Sequence, residues 1–372
     1  MNRDITADAL RPGAHSLAEI LSQPACWADC LKLLEQSQVS KAALELCSSV
    51  TEMLFVGCGS SYYAALSAAA GWSTITGMRA RAVPASEIIL QPELTLTGSH
   101  NFLPVLISRS GRTSEVLKAG EYLKSRGVAC LAITCAPGQA LEKIATVTVC
   151  LAPADEQSTV MTRSFSSMLL AILYLAARFA KNDTMKNDLS RMISPAATFL
   201  NTLPQRLKQF VEAHSFEDYV CLGQGPFFGI ASESILKLTE MSVSYGQSFH
   251  TLEFRHGPKS IVSPKTLILF LISESGYEAE CEVLEEVKKL GGKTLVVVNT
   301  GGAARKHADL LLETKLEVPE IARLGAYLFC GQLMGLYTGL KKSLNPDQPR
   351  HLSRVVLLDR KDSDETAEHA AL

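Results

Sequence analysis

The chain has 372 residues, 47% hydrophobic and 20% charged, with 36 basic against 38 acidic side chains. That length gives room for two ordinary domains with a large buried core. A net charge of −2 with no basic stripe counts against a nucleic-acid partner. The N-terminus, MNRDITADALRPG, lacks the apolar core of a secretory signal, and the ten cysteines are scattered without a CxxC pair. Reduced thiols used as small apolar residues, and a cytoplasmic location, are the expectation.

In chain order, a helical segment over 1–46 precedes the strand MLFVG, which runs into the turn GCGSSYY and a helix. LPVLIS then leads through SRSGRTSE into SEVLKAGEYLKS, and ACLAIT leads to GQALEKIA. FSSMLLAILYLAARFA, residues 165–180, is shorter than the roughly 20 residues a membrane span needs and is expected as a buried helix. The series then starts again. CLGQGPF follows FVGCGSS by 166 residues, LISESGYEAE follows LISRSGRTSE by 165, and VVVNT follows LAITC by 165. Three matches in one order and register mean a duplicated domain rather than a solenoid. Continuous apolar strands alternating with helices predict an α/β chain of two tandem doubly wound, flavodoxin-like parallel sheets. The expected domains are 47–200 and 201–344, with a polar tail over 345–372. Both glycine-rich turns then fall at the carboxyl ends of strands, where such sheets bind ligands.

Several side chains at those ends are suited to chemistry. Ser108, Ser110 and Thr113 offer hydroxyls, and Arg109 and Arg112 offer charge, at a helix start whose free N–H groups favour an anion. The same turn in the second copy reads Glu274, Ser275, Gly276, Tyr277, Glu278, which would repel a phosphate. An N-cap serine and turn would account for both copies but not for the charge difference. Gly59, Ser60 and Ser61 open a helix without the third glycine of a dinucleotide fingerprint, so they suit a small polar ligand or a plain cap. Glu233, Lys237 and Glu240 share one helical face, either a solvated i,i+4 pair or an acid–base cluster. The GQG turn before that helix places its first turns beside the site. His256, in RHGP, is either a fixed proton donor or a ring that caps its turn. The histidine and cysteine spacings fit no zinc set, and no metal is expected.

Taken together, CGSS, SRSGRTSE, EQSTVMTRSFSSML, ESILKLTE, EFRHGPKS and NPDQPRHLSRVV resemble the double sugar-isomerase (SIS) domain proteins over nearly the whole chain. That family includes the isomerase half of glucosamine-6-phosphate synthase and the galactosamine-6-phosphate deaminase/isomerases, and FRHGPKS with MTRS is nearer the latter. The resemblance implies that Ser108, Arg109, Ser110 and Thr113 hold a sugar phosphate, that Ser61 contacts the sugar, and that Gly59, Ser60, Thr162 and Arg354 complete the binding set. It implies that Glu240 moves a proton between carbons 1 and 2 with Lys237 and Glu233 as helical neighbours. His256 is implied as the ring opener, supplied by the adjacent subunit of a homodimer. Arg354 stands where the synthase has a Schiff-base lysine, and an arginine cannot form that imine. With no glutaminase domain and MNRD at the start, this favours ammonia release over amide transfer. The expected reaction is therefore aldose–ketose isomerisation and deamination of an amino-sugar 6-phosphate, without cofactor. Isomerisation or deglycation of another phosphosugar, and a non-catalytic phosphosugar sensor, are the alternatives.

Overall fold

The computed structural model describes residues 11–96 and 101–358. The first sheet contains β1 (Glu52–Gly57), β2 (Arg79–Pro84), β3 (Phe102–Ile107), β4 (Leu131–Thr134) and β5 (Val147–Cys150), in the order β2-β1-β3-β4-β5. The second contains β6 (Asp218–Gly223), β7 (Gly246–Phe249), β8 (Thr266–Leu271), β9 (Lys293–Val298) and β10 (Leu310–Glu313), in the order β10-β9-β8-β6-β7. Every pairing is parallel. The two orders are one topology written from opposite edges, so the chain is a tandem pair of doubly wound α/β domains. In each, the strand order reverses between the first and third strands of the copy, and the crevice beyond their carboxyl ends is the natural ligand position.

The central strands are continuous apolar runs because both faces are covered: the last five residues of β1 and of β6 are all buried. Each ends in a glycine for a steric reason. A Cβ on Gly57 would lie 2.5 Å from the Ser61 carbonyl carbon, and one on Gly223 would lie 2.4 Å from the Phe227 carbonyl oxygen. The next helix can fold back over the strand end only with hydrogen at that position.

The N-terminal segment forms the helices Ala14–Leu21, Gln23–Gln36 and Gln38–Ser48 and joins the core. Trp27 is buried, stacks on Phe329 at 5.4 Å, and donates its indole N–H to Ser166 Oγ at 2.9 Å. The apolar stretch at 165–180 lies in helix Arg163–Phe179, buried over most of its length. No helix among the described residues is long and apolar enough to cross a membrane. All ten cysteines are free, and all but Cys58 and Cys150 are buried.

Helix Leu324–Lys341 carries Gly331, Gly335 and Gly339 on the side facing helix Phe227–Ser242. A Cβ at Gly335 would be 2.7 Å from the Lys237 carbonyl oxygen, and one at Gly339 would be 2.2 Å from that of Met241. Glycine at these positions lets the two backbones touch. This contact removes water from one side of the helix that bears Glu233, Lys237 and Glu240.

Candidate active site

Helix Phe227–Ser242 belongs to the second half, yet it packs against helix Ser60–Thr76 of the first. Glu233 and Lys237 are wholly buried there, so the solvated-face alternative does not apply to them. Lys237 Nζ lies 3.3 Å from Glu233 Oε1 and donates to Ser60 Oγ at 3.2 Å and to the Glu240 carboxylate. Ser60 Oγ donates in turn to Glu233 Oε1 at 3.0 Å. Glu233 Oε2 is buried without a hydrogen-bond partner. Burial pushes the Glu233 carboxyl up to about 8; Lys237 opposes the rise and Glu240 adds to it. Burial alone would pull Lys237 down, but the attraction of Glu233 and Glu240 leaves it above its ordinary value. The three side chains stand in sequence, Glu233, Lys237, Glu240, with only the last opening to a cavity.

That cavity has a volume of about 190 Å³. Its floor is the turn Cys58–Ser61 after β1, and one wall is the loop after β3, with Arg109, Ser110 and Thr113. Thr159 and Met161 form a second wall, and Leu352, Ser353, Arg354, Val355 and Val356 of the C-terminal segment cover it. Ser108 Oγ and Thr113 Oγ1 are 3.1 Å apart, and Ser110 Oγ accepts the Arg112 N–H at 3.2 Å. Helix Ser114–Ser125 starts at this loop and directs its first N–H groups toward it. The Ser114 N–H donates to the Val356 carbonyl at 3.3 Å, and the Leu358 N–H donates to Ser114 Oγ at 3.0 Å. Hydroxyls, a helix start and a carboxylate with an ammonium behind it thus meet at the switch point of the first sheet. A larger open groove, about 640 Å³, lies between helix Ile193–Ala213 and β10. Its one lining carboxylate, Glu313, is paired with Arg305 at 2.8 Å.

In the second half the equivalent crevice is occupied by the chain itself. Glu280, buried, accepts from the Ser273 N–H at 3.2 Å, from Ser273 Oγ, and from Thr251 Oγ1 at 2.9 Å. In the first copy the equivalent of Ser273 is Ser108, whose N–H donates to the Ile133 carbonyl at 3.0 Å and whose hydroxyl pairs with Thr113 instead of a carboxylate. Burial raises the Glu280 carboxyl, and these hydrogen bonds moderate the rise.

The remaining expected site residues fall in different places. Gly59, Ser60, Ser61, Arg109, Ser110, Thr113, Glu240 and Arg354 line the cavity. The part of helix Phe227–Ser242 that reaches it is the last turn, not the first turns expected from the GQG motif. The floor of the site is the first copy's own GCGSS turn, so only a residue far along the second copy's helix comes within range. Thr162, expected in the binding set, is fully buried behind the wall, its N–H and hydroxyl given to Glu156 Oε1 at 2.6 and 2.7 Å. Thr159 and Met161, three and one residues earlier in the same stretch, take the wall position instead. Arg112 is exposed. His256 is exposed, outside the cavity lining, in a loop held to helix Tyr277–Lys289 through Arg255 and Glu286 at 2.9 Å. Sequence reasoning missed Cys58, Thr159, Met161 and, around the expected Arg354, the covering residues Leu352, Ser353, Val355 and Val356, although each lies in or beside a stretch already singled out.

The SIS domain family model matches residues 47–178 and 219–333. The chain belongs to the SIS domain family. Its two SIS domains resemble solved structures over their whole length. A glucosamine-6-phosphate deaminase from Thermotoga maritima is 30% identical with a TM-score of 0.75, covering 92% of this chain and 100% of that one. The tagatose-6-phosphate ketose/aldose isomerase from Escherichia coli shares the fold at 20% identity and a TM-score of 0.81, covering 95% and 100%. Among curated relatives, the isomerizing glutamine–fructose-6-phosphate aminotransferase of Pyrobaculum aerophilum is 27% identical over 361 residues, 92% of this chain. The SIS chain spans 57% of that relative's length, little more than half.

Proposed function

We propose that this double-SIS protein is an aldose–ketose isomerase/deaminase of an amino-sugar 6-phosphate, producing a ketose 6-phosphate and ammonia. The observation that carries the reading is Glu240, which opens to a cavity walled by the hydroxyl loop 108–113 while Lys237 engages it from behind. Ser108, Ser110, Thr113 and the helix start anchor the phosphate, and that remote binding positions carbons 1 and 2 over Glu240. The Glu240 carboxylate takes the carbon 2 proton while the carbon 1 oxygen gains one, giving an enolamine, and returns it at carbon 1 as the nitrogen gives up a proton. The product is a ketimine at carbon 2. Water adds to it, and the carbon–nitrogen bond breaks to release ammonia. Ring opening falls to His256 of a second copy, because this copy's own His256 lies outside the cavity lining. The reaction needs no further electron sink, since the carbon 1 aldehyde of the opened sugar takes up the electron pair.

The test is ammonia release from glucosamine 6-phosphate and from galactosamine 6-phosphate in separate assays, with wild type and Glu240→Gln. Release by the wild type, with turnover lowered on the order of 10²–10⁴-fold in the variant and phosphosugar binding retained, is the expected result. Ketose–aldose interconversion without ammonia would replace deamination by isomerisation. Binding without turnover of either sugar would reduce the protein to a sensor.

A further inference from the structure

The loop after the third strand carries Arg109 in the first copy and Glu274 in the second, 165 residues on. Arg109 is 5% exposed and its Nη1 lies 3.3 Å from Glu156 Oε2, on a carboxylate with no exposure. Nη2 donates to the Thr159 carbonyl at 3.0 Å and to the Arg354 carbonyl at 2.9 Å. Glu274 makes the reverse pair, its Oε1 lying 2.7 Å from Nη1 of the buried Arg323. Glu156 and Arg323 both belong to the segment between the fifth strand of their copy and the long helix that follows it, Arg163–Phe179 or Leu324–Lys341. The duplicated position therefore makes the same tie twice with the charges exchanged.

We infer that Arg109 is a positioning residue, which fastens the covering segment 352–356 and the 156–159 wall to the hydroxyl loop, and is not a ligand of the phosphate. Both terminal nitrogens of its guanidinium are already engaged. Turning the group toward an anion in the cavity would strip Glu156, in the core, of its cation. The positive side chain most readily assigned to phosphate thus shapes the cavity, leaving the lining hydroxyls of Ser110 and Thr113 and the helix start to meet the anion. Only the phosphate half of this inference rests on the proposed function; the latch does not depend on it.

Arg109→Lys tests it, since lysine keeps a cation beside Glu156 but has no fork to span the Thr159 and Arg354 carbonyls. Two quantities are measured: the affinity for inorganic phosphate by calorimetry, and amide hydrogen exchange of the peptide spanning 352–358 in ligand-free protein. The expected result is phosphate affinity within about twofold of wild type and exchange at least about tenfold faster. A tenfold loss of phosphate affinity overturns the inference whatever the exchange, and unchanged exchange overturns it whatever the affinity. If the wild type binds no phosphate, the phosphosugar reading falls, and the exchange measurement alone decides the latch. Should the lysine variant not fold, the double change Arg109→Gln with Glu156→Gln removes both charges and carries the same two readouts.

Discussion

Replacing Glu233 by glutamine isolates the proton at the centre of the buried cluster. Burial holds the Glu233 carboxyl up to about 8, whereas an unfolded glutamate titrates at about 4.3. Between those values the native state carries one more proton than the unfolded chain. Wild-type stability contributed by this group is therefore complete at acid pH and is lost as pH rises, at about 1.4 kcal/mol per unit. Glutamine matches the protonated side chain in shape and does not titrate. The variant should thus gain about 3 kcal/mol relative to wild type between about pH 5.5 and about pH 7.5. Urea unfolding of both proteins at the two pH values measures this directly. Parallel pH dependence would refute a neutral Glu233 and would place the cluster's proton elsewhere.

Ser110→Ala and Thr113→Val each remove one hydroxyl from the cavity wall. Each should weaken inorganic phosphate binding by about 1 kcal/mol, roughly fivefold, by calorimetry. Glu280→Ala leaves the donors of Ser273 and Thr251 without their shared acceptor. It should cost about 1–3 kcal/mol in urea unfolding without changing phosphate affinity, because the proposed phosphate site lies in the first copy. Gly335→Ala drives a methyl group toward the Lys237 backbone. It should lower stability by about 1–3 kcal/mol, and turnover with it.

The duplication was legible because continuous apolar strands and glycine-ended turns are local features, repeated at a fixed offset. β2 and β7 were not anticipated. RARAVP and GQSF are only partly buried at sheet edges, so neither needs an apolar signature. The Glu233, Lys237, Glu240 face was visible as helical spacing, but not its burial. That depends on Gly331, Gly335 and Gly339 almost 100 residues later and on Ser60 from the other copy. Arg109 shows the reverse problem. Its place in a hydroxyl-rich loop points to an anion, and only the buried Glu156 and the returning C-terminal segment reveal where its guanidinium goes. Thr162 and Met161 are neighbours in sequence, yet the wall turns between them, and a stretch singled out by composition carries no sign of which side chain will face the cavity.

Helix Phe227–Ser242 packs on helix Ser60–Thr76 through a glycine. Gly229 sits against Ser67 and Tyr63 so tightly that a Cβ there would meet Ser67 Oγ at 2.3 Å. The hydroxyl loop and Glu240 are borne by different halves, so their relative distance is a property of this seam. A change that tilts one half on the other by a fraction of an ångström leaves each half's own fold and its grip on phosphate intact. It would show first as a slower chemical step at saturating ligand, and a screen for rate-specific variants should recover seam positions well away from any substrate atom.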